Sequence, residues 1–105
     1  MTTEKQILVL IKEPGKAPVV EPLFDNTLQS FQKAVGGYIE TYYLGANVTV
    51  VCNEEGKLKG LPYNVTIGRE NFVGAIVLCG TTADDFCSLK ASQIPRLMAI
   101  LEGER

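Results

Sequence analysis

A chain of 105 residues with 46 % hydrophobic and 21 % charged side chains has the makeup of one folded domain, 1–105, and not of a disordered segment. Its 10 basic and 12 acidic residues leave a net charge of −2, which disfavours a nucleic-acid partner, because phosphate contacts call for a basic excess. Histidine is absent, so a histidine-dependent triad is excluded within the chain and the commonest metal ligand is missing.

The run Ile7-Leu8-Val9-Leu10-Ile11 predicts a strand over 6–11, apolar on both faces and therefore central in a sheet. Pro14-Gly15 marks a turn, and 17–21 reads as a short strand that Pro18 and Pro22 hold at an edge or end. A helix follows. Asn26 and Gln29 have capping-box spacing, Leu28, Phe31 and Val35 form an apolar stripe, and Gly36-Gly37 stops it. Residues 38–44 and 48–52 read as a hairpin about Gly45-Ala46-Asn47. Glu54-Glu55-Gly56 turns the chain into a short return strand at 57–61 that Pro62 closes. Residues 72–79 read as one further central strand, with Gly74 marking a close neighbour. The final helix is predicted from about Ser92 to Glu102, capped near Ser92, with Ile94, Leu97, Met98 and Leu101 on one stripe and Pro95 in the first turn. Helices and strands do not alternate strictly, so the expected class is α+β: a mainly antiparallel sheet of about five strands with two helices packed against it.

The opening Met1-Thr2-Thr3-Glu4-Lys5 has no basic stretch before a long apolar core, and 7–11 is too short to span a membrane. A cytoplasmic protein without membrane association is expected, with Asn47-Val48-Thr49 and Asn64-Val65-Thr66 unglycosylated. The three cysteines, Cys52, Cys79 and Cys87, form no Cys-x-x-Cys pair, which argues against a disulfide framework or zinc site. No cofactor and no metal are expected. The pairs Glu54-Glu55 and Asp84-Asp85 suit turns and helix starts better than metal binding, since hard cations usually take more oxygen ligands. Cys87 reads as a small packed residue rather than a nucleophile, because neighbouring aspartates work against its thiolate. Pro14-Gly15-Lys16 lacks phosphate-loop spacing.

Two groups remain as candidate ligand- or partner-binding residues. Tyr38 and Tyr42 share one strand face, with Tyr43 on the other; tyrosines there line a pocket, anchor a partner or simply pack on the sheet. The stretch 53–64 either displays Asn53, Glu54, Tyr63 and Asn64 around a pocket or is only a tight turn and a bend.

The segments PGKAP at 14–18, LQSFQKAVGGYIE at 28–40, NEEGKLKGLPYN at 53–64, FVGAIVLCG at 72–80 and DFCSL at 85–89, taken in order and with their spacing, resemble the domain-of-unknown-function 3846 family over nearly the whole chain. The resemblance makes Gly36, Gly37, Gly56, Gly60 and Pro62 family-motif positions. It implies an accessory protein of bacteriophages or mobile elements of Gram-positive bacteria, and it assigns no catalytic residue. The chain departs from the family pattern at Val65, where members often carry a basic residue. The resulting expectation is a small non-enzymatic binding protein that engages a host protein or a small ligand. The alternatives are a carboxylate- or metal-dependent enzyme using Glu54 or Asp85, and a structural homodimer joined through an edge strand or the tyrosine face.

Overall fold

In β1 (Gln6–Lys12), β4 (Val48–Asn53) and β7 (Ile76–Thr81) buried side chains succeed one another instead of alternating with exposed ones. Such strands need cover on both faces. The computed structural model, which describes residues 5–83 and 85–103, places them side by side at the centre of an antiparallel sheet. β2 (Val19–Asp25) and β3 (Ile39–Gly45) form its edges, giving the order β2-β1-β7-β4-β3, with the two-residue β8 (Phe86–Cys87) paired to the end of β7. A separate hairpin of β5 (Tyr63–Ile67) and β6 (Glu70–Val73) lies outside this sheet. With α1 (Leu28–Val35) and α2 (Ile94–Leu101), the fold is α+β, and its main sheet is antiparallel throughout.

Strand periodicity sends the two side-chain sets into two different cores. Ile7, Val9, Val51, Val77 and Cys79 face α1 and pack with its Phe31 and Val35. The Phe31 ring lies 4.9 Å from Phe24 and 5.0 Å from Phe86, centroid to centroid. Leu10, Val50, Ile76 and Leu78 face the other way, onto Val65 and Phe72 of the hairpin and Leu97 and Leu101 of α2. The helices therefore cover opposite faces, and on the second face the hairpin shares the cover with α2.

The local signals explain most element ends. Thr27, not Asn26, caps α1: its hydroxyl accepts the Ser30 N–H at 3.1 Å, while the Asn26 amide donates to the Phe86 carbonyl. Gly36 closes the helix in the left-handed conformation, at φ 80°. β2 begins later than the sequence pattern suggests and continues through Pro22 to Asp25, which an edge strand tolerates. In place of a return strand at 57–61 there are successive turns, closed by the Leu61 N–H on the Gly56 carbonyl. The expected single strand at 72–79 is two strands belonging to different sheets. Gly74, at φ 71°, breaks the run, and a Cβ there would lie 2.8 Å from Leu61 Cδ1. A 3₁₀ turn at Ala91–Gln93 precedes α2, so the α-helical cap is Gln93 rather than Ser92, and Pro95 falls in the first turn.

β1 and β7 pair only from Leu10 to Lys12. Where they diverge, the segment after β8 fills the gap: Leu89 N–H donates to the Leu8 carbonyl and Leu8 N–H to Ser88 Oγ. The Ser88 carbonyl then sits against Gly80 so closely that any Cβ at that position would collide with it.

The β3–β4 loop is a two-residue connection in which Ala46 (φ 53°) and Asn47 (φ 62°) both adopt the left-handed conformation. Two positive φ values are the mark of a type I′ turn, which favours Asn-Gly. Replacing the pair together, Ala46→Asn with Asn47→Gly, is expected to stabilise the protein by about 1 kcal/mol, because glycine at 47 has no Cβ to clash and asparagine at 46 tolerates the left-handed conformation better than alanine. The urea midpoint then rises; an unchanged or lower midpoint contradicts the turn assignment.

Candidate functional site

Leu8, Leu10 and Lys12 alternate along β1 onto the face that the hairpin covers. A lysine thus occupies a core-facing position and is only 6 % exposed. Its ammonium donates to the Glu13 carbonyl at 2.9 Å and to Asn64 Oδ1 at 3.0 Å. Among the described residues no carboxylate forms an ion pair with it. An ammonium carries three N–H donors, and the described residues accept only two of them.

Asn64 sits where the β5–β6 register shifts, between Tyr63 and Val65. Its amide nitrogen donates to the Lys12 carbonyl at 2.8 Å and to the Gly74 carbonyl at 2.7 Å. One buried side chain therefore links β1, β5 and the β6–β7 junction. Beside this cluster opens a cavity of about 820 Å³, whose lining includes Lys12, Lys16, Tyr63, Asn64, Thr66 and Glu102. Tyr63 is 59 % exposed, and its hydroxyl shares a 2.6 Å hydrogen bond with Thr66 Oγ1. Polar groups converging on a concave site of this size are what a small ligand needs.

The other end of the 53–64 stretch lies elsewhere. Asn53 is buried, donating to the Val35 carbonyl at the end of α1 and accepting the Glu55 N–H at 2.8 Å. With Glu54 and Tyr42 it borders a second, smaller cavity of about 280 Å³ that Glu40, Lys57 and Glu70 also line. The stretch therefore spans two cavities: Asn53 and Glu54 at one, Tyr63 and Asn64 at the other. Tyr42 meets Phe72 edge-on at 5.6 Å. Tyr38, 69 % exposed, lies before β3 and lines neither cavity. Of the family-motif positions, Gly37 lies so close to Asn53 that a Cβ would be 2.8 Å from its amide nitrogen, and Gly56 packs as tightly on Val73. Gly60 belongs to the turn series, and the Pro62 carbonyl accepts the Gly74 N–H.

Asp84 lies outside the described residues. Asp85 accepts the N–H of Phe86 at 2.8 Å, near Thr81 at the far end of the sheet from Glu54. Among the described residues no three Cys, Asp or Glu side chains form a group suited to a metal ion. Burial pushes the Cys52 thiol up to about 11, with Glu40 and Glu70 adding to the rise and Lys57 opposing it. Burial, with Cys87 nearby, pushes Cys79 up to about 12. Both thiols are held protonated and are weak nucleophiles.

Residues 5–102 match the family described as Domain of unknown function (DUF3846), and the chain belongs to that family. No curated protein and no solved structure matches it. No helix among the described residues is long and apolar enough to cross a membrane.

Asn64→Ala removes three hydrogen bonds and strips the buried ammonium of a partner, at an expected cost of about 3 kcal/mol. Adding Lys12→Met removes the buried charge and is expected to recover part of that loss; strictly additive urea midpoints contradict the coupling. The cysteines set an alkaline limit. Their folded values lie above the ordinary 9.0, so the unfolded chain ionises first and stability falls as pH rises from about 9 toward 12. The expected decline is shallower in Cys79→Ala, and parallel stability–pH curves for wild type and variant contradict this source.

Proposed function

We propose that this chain is a non-enzymatic binding protein of a phage or mobile element. It acts in the cytoplasm and takes a small ligand bearing a carboxylate or phosphate into the cavity beside Lys12. The observation carrying this reading is a lysine only 6 % exposed that meets two neutral oxygens and, among the described residues, no carboxylate. Removing a cation from water costs several kcal/mol unless an opposite charge compensates it. A methionine of similar length would fill the same space without that cost. An anionic ligand offers the missing charge and an acceptor for the remaining N–H. Lys16, ion-paired with Glu13, and Glu102 also line the cavity, so Lys12 is the cation there that has no carboxylate partner among the described residues, and Tyr63 adds a ring at the edge. The phage or mobile-element setting is what the resemblance of the sequence motifs implies.

Thermal-shift and calorimetric titrations with inorganic phosphate, pyrophosphate, citrate and nucleotides test the reading. At least one anion is expected to bind saturably, with affinity that falls with salt and is at least tenfold weaker in Lys12→Met. No saturable binding, or equal binding by the variant, overturns it. Capture of a host protein by wild type and Lys12→Met alike, without any anion response, moves the function to the outer surface.

A further inference from the structure

A third cavity lies between β3, the β5–β6 turn and α2; it shares Ile67, Gly68 and Ile100 with the lining of the Lys12 cavity but not Lys12, Lys16 or Asn64. Its volume is about 600 Å³, within the range of small-ligand sites. Leu44, Ile67, Leu97 and Ile100 give it an apolar lining, and Arg69 and Arg96 also line it. The sequence brings the arginines there by separate routes. Arg69 occupies the two-residue turn between Ile67 and Glu70. Arg96 precedes Leu97 on α2 and stands four residues before Ile100, so it shares a helix face with that isoleucine.

Two features set this cavity apart. No aspartate or glutamate lines it, whereas the cavity at Glu54 has Glu40, Glu54 and Glu70. In addition, neither guanidinium forms an ion pair or hydrogen bond with any described residue, while Lys16, Lys57 and Lys59 each pair with a glutamate. In a chain of net charge −2, two uncompensated arginines are thus gathered on one acid-free, apolar concavity. Guanidinium is weakly hydrated, tolerates apolar neighbours and presents a planar fork of donors that matches a carboxylate.

We propose that this cavity is a second binding site, independent of the Lys12 cavity, for an apolar molecule ending in a carboxylate. The acyl or aryl body occupies the space among Leu44, Ile67, Leu97 and Ile100, with the tyrosines of β3 at its edge. Arg69 and Arg96 hold the carboxylate.

Calorimetric titration with decanoate, with decanol as the uncharged control, tests the site. Decanoate is expected to bind at least tenfold more tightly than decanol. Arg69→Gln and Arg96→Gln, both at exposed positions, are each expected to weaken decanoate about tenfold, while Lys12→Met leaves it unchanged. Equal binding of decanol reduces the cavity to an apolar patch and overturns the proposal. So does an absence of decanoate binding, or a loss confined to Lys12→Met, which places the ligand in the other cavity.

Discussion

One asparagine holds the two sheets of this protein together. The main sheet leaves an apolar face uncovered by α1, and the β5–β6 hairpin closes it with Val65 and Phe72. Apolar contacts alone would let that hairpin slide. Asn64 fixes it by donating to main-chain carbonyls on both sides, at Lys12 and Gly74, while its remaining oxygen receives the Lys12 ammonium. A buried amide with both ends satisfied specifies one register in a way that methyl groups do not. The same contact brings a cation into the interior beside the cavity that Lys12 and Asn64 line, so structural specificity and the proposed binding chemistry share their atoms.

Much of the architecture is legible in the sequence, because it depends on two periodicities. The doubly apolar run after Gln6 demanded a central strand, the stripe of Leu28, Phe31 and Val35 demanded a helix, and Gly36 ended it. What escaped has physical reasons too. Residues 72–79 are continuously apolar because they pass from the hairpin layer into the main sheet without emerging into water, and only Gly74 records the break. β5 has a register shift at Asn64, which blurs its alternation. β8 is too short to show any period. The cap depends on which side-chain oxygen accepts the Ser30 N–H, so Thr27 and Asn26 are not distinguishable by spacing alone.

The binding region is legible in part. Tyr63 and Asn64 stand out as turn-flanking polar residues, yet nothing local shows that Asn64 is buried or that Asn53 on β4 reaches the end of α1, at the Val35 carbonyl. Lys12 was the less visible member. It looks like a polar residue ending a strand, and its meaning lies in register: counting two by two from Leu8 and Leu10 puts it on the inward face. Arg69 and Arg96 are separated by β6, β7, β8 and the 3₁₀ turn, and only the packing of α2 beside the hairpin brings them to one cavity.

The proposed function requires the Lys12 ammonium to be an anion-binding centre. Anomalous diffraction from crystals soaked in sodium tungstate tests this most directly. The predicted result is a tungstate peak within about 3.5 Å of Lys12 Nζ, lost in crystals of Lys12→Met. Lys12 Nζ ringed only by protein oxygens and water, with tungstate bound elsewhere or nowhere, would contradict the account.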